Sequence, residues 1–272
     1  MSRKRTALAV VALVAAVTLT MAIGACGSSD DTSETASPAA SQAGKTVEVK
    51  AVAPSDTLSV RVGDTIEVAV AGNPTTGYQW ELVQSDDDAV EQSGEPSFEP
   101  ESDAEGAPGT VTIPMKAVKA GSAIVVLKEM PPGEPQGTPA DTCVVSFDVE
   151  DADGAEPKTI KAEMEAQEST EVAQGDTLEV KLPGNASTGY SWVTDTRHID
   201  DAVLTEDGEP DYEAESDEPG APGVYTLKWK VGSGLDDSAE TPKDAIVITK
   251  YVAPGDQDAV PESVWSVWVT VK

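Results

Sequence analysis

Apolar and polar residues alternate with a period of two along much of the chain. Thr57-Leu58-Ser59-Val60-Arg61-Val62 and Thr65-Ile66-Glu67-Val68-Ala69-Val70 put an apolar side chain at every second position, the pattern of strands with one buried face. Ala123-Ile124-Val125-Val126-Leu127 and Ala245-Ile246-Val247-Ile248 are apolar and largely β-branched without interruption, which predicts central strands. Val144 to Val149 and Val264 to Val271 read as the last strands of two series. Gly and Pro fill the gaps, and no helical period appears past the first 25 residues. Many short strands within about 110 residues predict an all-β chain of immunoglobulin-like sandwiches.

The pattern occurs twice. Val62-Gly63-Asp64-Thr65-Ile66-Glu67-Val68 returns as Gln174-Gly175-Asp176-Thr177-Leu178-Glu179-Val180, and Asn73-Pro74-Thr75-Thr76-Gly77-Tyr78-Gln79-Trp80 returns as Asn185-Ala186-Ser187-Thr188-Gly189-Tyr190-Ser191-Trp192. Gly94-Glu95-Pro96 and Gly106-Ala107-Pro108-Gly109 return as Gly208-Glu209-Pro210 and Gly220-Ala221-Pro222-Gly223. Ordered matches with small shifts in spacing are the mark of a duplicated domain with variable loops. Two tandem domains are expected, over residues 45–150 and 158–272, with a polar linker at 151–157.

The N-terminus sets an expected compartment. Arg3, Lys4 and Arg5 precede an uncharged, mostly apolar run from Ala7 to Ile23, which ends in Ile23-Gly24-Ala25-Cys26. A basic start, a compact apolar stretch and small residues at its end describe a signal peptide over residues 1–25. The tetrapeptide resembles the bacterial lipobox, which implies cleavage before Cys26 and lipidation of its sulfur. The expected location is extracytoplasmic, on the outer face of the cell membrane, with the lipid as the membrane partner. Residues 26–44 are almost all small, polar or acidic and are expected to be a disordered tether.

Charge narrows the partners. The chain carries 18 Lys and Arg against 49 Asp and Glu, a formal net charge of −31, so nucleic acid is excluded as a partner held through its phosphates. With Cys26 lipidated, Cys143 has no disulfide partner, and its apolar setting, Thr142-Cys143-Val144-Val145, predicts a buried structural thiol.

The turn Asn73-Pro74-Thr75-Thr76-Gly77-Tyr78, between an alternating strand and Trp80, resembles the signature loop of the chagasin family of cysteine-peptidase inhibitors. The Gly-Asp-Thr strand start, the Gly106-Ala107-Pro108-Gly109-Thr110 turn and the Lys119-Ala120-Gly121-Ser122-Ala123 turn extend the resemblance. In that family, three loops at one end of the sandwich wedge into a papain-like peptidase. The resemblance implies that Asn73, Pro74, Thr75, Thr76, Gly77 and Tyr78 form the central finger of the first domain. It implies the same of Asn185, Ala186, Ser187, Thr188, Gly189 and Tyr190 in the second. Gly106, Gly109, Met130 and Pro131 would flank the first finger, and Gly220, Gly223, Ala253 and Pro254 the second. The implied partner is a papain-like cysteine peptidase, bound reversibly by a monomer that needs no cofactor and no metal.

The residues themselves suit such a finger. Pro74 fixes its own φ and biases Asn73 toward extended backbone, and Gly77 can take a positive φ. Thr75 and Thr76 carry hydroxyls able to bond a catalytic His or Cys. Tyr78 and Trp80 share a face and are expected to anchor the turn in the core. The same residues also make an adequate turn with no target. Ala186 and Ser187 replace Pro74 and Thr75 in the second copy, and Met130-Pro131-Pro132 and Val252-Ala253-Pro254 stand where the family has an Arg-Pro-aromatic element. A non-inhibitory immunoglobulin-like surface or adhesion lipoprotein is therefore the alternative.

Enzymatic chemistry is not expected. The single histidine, His198, falls in a loop whose counterpart in the first copy is Ser85-Asp86-Asp87, so no His-dependent nucleophile recurs in both domains. The acidic runs Glu99 to Asp103 and Tyr212 to Asp217 match no recognised calcium loop and are expected as solvated charge.

Overall fold

In the computed structural model, the described residues are 46–272 apart from 84–87, 135–136, 153, 155, 196–201, 233–242 and 256–258. The signal-peptide, tether, Cys26 and His198 expectations, and Ser85 to Asp87, lie outside them. The described residues form strands, with two short 3-10 turns, Pro74–Thr76 and Ala186–Thr188. The fold is all-β, as the alternating pattern predicts.

Four sheets make two sandwiches. In the first, the sheet built on Thr65–Gly72 and Gly109–Ala117 faces the sheet built on Gly121–Met130 and Asp141–Glu150. Ile66, Val68, Ile113, Met115, Val125, Leu127, Val145 and Phe147 are buried between them. The second sandwich repeats this with Thr177–Gly184 and Gly223–Val231 against Lys243–Val252 and Ser263–Val271. Its core holds Leu178, Val180, Trp192, Trp229, Val247 and Trp265.

The continuously apolar runs owe their second apolar face to the other sandwich. Val125 and Leu127 point into their own core, while Ile124, Val126 and Val144 pack against Ile246, Ile248 and Val264. Each such side chain contributes roughly 1.5–3 kcal/mol when fully buried. The two sandwiches therefore stack through the sheets that carry these runs.

Their strands cross the seam in a fixed sense. The Thr138 and Thr270 hydroxyl oxygens are 2.9 Å apart, so the approach to Asp141–Glu150 lies beside the end of Ser263–Val271. At the other end, Thr57 Oγ1 bonds the Ser146 hydroxyl and donates to the Pro261 carbonyl at 2.5 Å. The two strands thus run antiparallel across the interface.

The repeats also exchange their first strands. Thr46–Val49 pairs in parallel with Thr177–Gly184 of the second sandwich, and Thr159–Met164 pairs in parallel with Thr65–Gly72 of the first. Ser55–Asp56 and Gln167–Glu168 cross in the same way. From Leu58 and from Thr170 onward, each repeat returns to its own sandwich. The pairing thus cuts across the sequential division at 151–157. Gln167, 5 % exposed, ties the crossing segments: its Oε1 accepts from the Val52 N–H at 2.9 Å and its Nε2 donates to the Lys50 carbonyl at 3.4 Å. Lys181–Glu48 at 2.9 Å and Lys161–Glu67 at 3.6 Å pair each guest strand with its host.

Candidate functional site

The repeated hexapeptide forms one turn of 3-10 helix in both sandwiches. Asn73 enters it with φ −144° and ψ 80°, and Asn185 with φ −141° and ψ 98°, and Gly77 and Gly189 leave it left-handed at φ 93° and 81°. A residue with a Cβ resists that φ, and at Gly77 the Cβ would stand 2.8 Å from Pro132 Cβ.

Side chains hold each turn from within. Thr75 Oγ1 donates to Asn73 Oδ1 at 2.5 Å, and Thr76 Oγ1 donates to the Asn73 carbonyl at 2.6 Å. The threonine protons are therefore spent on the turn, and the exposed hydroxyl oxygens are left as acceptors only. In the second copy Ser187 Oγ and its N–H both donate to Asn185 Oδ1, and Thr188 Oγ1 donates to the Asn185 carbonyl. The loss of proline at Ala186 is offset by two tyrosines. Tyr251 Oη accepts from the Asn185 N–H at 2.8 Å, and the Tyr225 hydroxyl donates to the Tyr190 carbonyl at 2.8 Å.

Three loops meet at this end of each sandwich. Asn73 Nδ2 donates to the Gly106 carbonyl at 3.0 Å, and Asn185 Nδ2 donates to the Gly220 carbonyl at the same distance. On the other side, Pro132 packs beneath Gly77 and Pro254 beneath Gly189. Pro74, Thr75, Thr76 and Gly77 are exposed at the tip, as are Ala186, Ser187, Thr188 and Gly189.

Not every expected flanking residue reaches the surface. Met130 ends its strand at 3 % exposure, on the face it shares with Ile124 and Val126 and not on the face of the sandwich core. Pro131 is half-buried, and the last residue of the Met130-Pro131-Pro132 run makes the contact with Gly77. Gly109 and Gly223 are buried in strands, where a Cβ would run into the Glu99 and Glu213 carbonyl oxygens. They let two strands approach closely and present nothing outward. Gly106, Gly220, Ala253 and Pro254 do lie on the flanking loops.

The aromatic anchors divide. Trp80 and Trp192 are buried, and their indole N–H groups donate to the Ala71 and Pro183 carbonyls at 3.1 and 2.9 Å. Tyr190 packs against Tyr251 with ring centroids 5.4 Å apart. Tyr78 is only half-buried and lines a shallow pocket with Pro74, Trp80 and Phe98.

The stems below the two tips differ in chemistry. Trp192 lies across from Tyr251, but Trp80 lies across from Glu129. Glu129 in turn neighbours Asp141, and Asp141 neighbours Glu168 of the exchanged segment. Burial, reinforced by the Asp141 charge, pushes the Glu129 carboxyl up to about 7. Burial and the Glu168 charge raise Asp141 in the same direction. The acidic runs lie at the tip end too: Glu101, Asp103 and Glu105, and Glu213, Glu215 and Asp217, are all exposed.

The model of the chagasin family peptidase inhibitor I42 matches residues 59–147 and 171–261, once on each repeat. Each match begins just after an exchanged segment. No curated protein matches the chain. Among solved structures, the chain is similar to the cysteine protease inhibitor EhICP2 from Entamoeba histolytica at 18 % identity, covering 38 % of this chain and 86 % of that one, with a TM-score of 0.29. The solution structure of amebosin is 20 % identical over 39 % of this chain and 98 % of its own, with a TM-score of 0.29. PbICP-C, solved in complex with falcipain-2, is 22 % identical over 39 % of this chain and 100 % of its own, with a TM-score of 0.28.

Proposed function

We propose, because the chain belongs to the chagasin family of peptidase inhibitors, that it is a reversible, non-covalent inhibitor of papain-like cysteine peptidases. The observation that carries this reading is the convergence of three loops behind an exposed, internally bonded finger at one end of each sandwich. The finger would enter the active-site cleft, with the loops at Gly106 and Pro132, or Gly220 and Pro254, against its walls.

Obstruction is the mechanism that suits the turn. Ordering a residue costs about 1–2 kcal/mol, and the finger is ordered before any partner arrives. Left-handed Gly77 and the capped 3-10 turn give a compact tip in place of an extended, cleavable strand. The exposed Thr75 and Thr76 oxygens would accept from a catalytic imidazole N–H. The exposed carboxylates beside the tip favour a cleft with a basic rim.

Display on the outer membrane face through a lipid on Cys26 belongs to the same proposal, as does a monomeric state. It rests on the N-terminal sequence pattern. The kinetic test is papain at several substrate concentrations with the chain from Gln42 to Lys272 added. The expected pattern is competitive inhibition that dilution reverses. Cleavage of the chain at residues 73–78, with activity returning as it is consumed, would make the finger a substrate.

A further inference from the structure

We infer that the chain engages two peptidase molecules at once, one at each end, and so bridges them. This rests on the reading above and adds a stoichiometry and a geometry to it.

The two fingers point in opposite directions. Asp141–Glu150 and Ser263–Val271 each begin where their sandwich's finger end lies, and they run antiparallel across the seam between the sandwiches. The first flanking loop arrives at Thr138, beside Thr270, whereas the second arrives at Glu262, at the far end of the same strand. Eight residues of strand separate those levels, about 27 Å at 3.3–3.4 Å per residue. Both tips extend beyond them, away from each other.

Neither tip is covered by the other sandwich, since Pro74 to Gly77 and Ala186 to Gly189 are exposed. The tips are similar in backbone, with Asn entries at φ −144° and −141° and left-handed Gly exits, although the second lacks proline. Their relative direction is locked. Exchanged strands, the Gln167 tie and the apolar seam of Ile124, Val126, Val144, Ile246, Ile248 and Val264 make residues 42–272 one compact unit. A flexible pair of domains could fold both tips toward one partner. This body cannot.

The test is the mass of the complex formed by the chain from Gln42 to Lys272 with excess papain, read by light scattering after size exclusion. The expected complex has one inhibitor and two papain molecules. Thr75→Arg and Ser187→Arg, each at an exposed tip, should each reduce it to one papain per inhibitor, and the double variant should bind none. Inhibition at a one-to-one ratio, abolished by one of the single variants, would overturn the bridging proposal and leave the inhibitor reading intact. No complex with papain or with a second papain-like peptidase, from a chain with native circular dichroism, would overturn both.

Discussion

The Lys158 backbone N–H donates to Asp64 Oδ1 at 2.9 Å, so the Asp of the first Gly-Asp-Thr motif receives a strand that belongs to the second repeat. The other oxygen of Asp64 accepts from the Arg61 N–H at 3.1 Å. Burial alone would raise this carboxyl, but the Lys158 and Arg61 N–H groups hold its pKa below the ordinary 3.8. A depressed carboxyl contributes stability above its unfolded pKa and loses it as pH falls through the folded one. Asp64→Asn should cost about 1–3 kcal/mol at neutral pH, because an amide nitrogen cannot accept a second bond. Urea unfolding followed from pH 7 downward should show the gap to the native chain closing below about pH 3.8. A gap that stays constant with pH would remove the charge from the explanation.

Much of this fold was legible because each strand needs only its own alternation to be recognised. Exchange was not. Thr46-Val47-Glu48-Val49 and Thr159-Ile160-Lys161-Ala162 carry the same pattern, and each meets the Thr of a Gly-Asp-Thr motif in the same register, Thr46 with Thr177 and Thr159 with Thr65. Either sheet can accept either strand, so nothing local in the sequence chooses between them. The finger was legible because Pro, Thr and Gly impose their own dihedrals. Pro132 beneath Gly77 and Tyr251 on Asn185 depend on segments distant in sequence that only the folded sandwich brings together.

Glu129 gives a second pH signature of opposite sign. Its folded pKa of about 7 lies above the ordinary 4.5, so the native state holds a proton that the unfolded chain has released. Stability therefore falls as pH rises from about 4.5 to about 7. Glu129→Gln should flatten that part of the profile and raise the thermal midpoint at pH 7.5, with little change at pH 4.5. An unchanged profile would mean that the Glu129–Asp141 pair does not titrate in this window.

Cys143 should be chemically silent. It is 2 % exposed, and burial pushes its thiol up to about 12, so almost no thiolate exists at pH 8. In the native chain from Gln42, a thiol-specific disulfide reagent should react only after denaturant is added. Prompt reaction without denaturant would place the thiol at the surface.

The two exit glycines should differ in tolerance. A Cβ at residue 77 would sit 2.8 Å from Pro132 Cβ, whereas at residue 189 its nearest neighbour, Pro254 Cγ, is 3.1 Å away. Both substitutions carry the left-handed penalty of about 1–2 kcal/mol. Gly77→Ala should therefore be the more damaging, both to thermal stability and to peptidase binding by its own end. Equal losses would mean that the prolines give way freely.

The most direct measurement is the inhibition constant for papain of the chain from Gln42 to Lys272. It is compared with a variant carrying Thr75→Ala, Thr76→Ala, Ser187→Ala and Thr188→Ala. Each finger loses two hydroxyl bonds worth about 1 kcal/mol apiece, so inhibition should weaken at least tenfold while the fold is retained. A folded native chain that leaves papain and a second papain-like peptidase fully active, or a variant that inhibits as well as the native chain, would contradict the account.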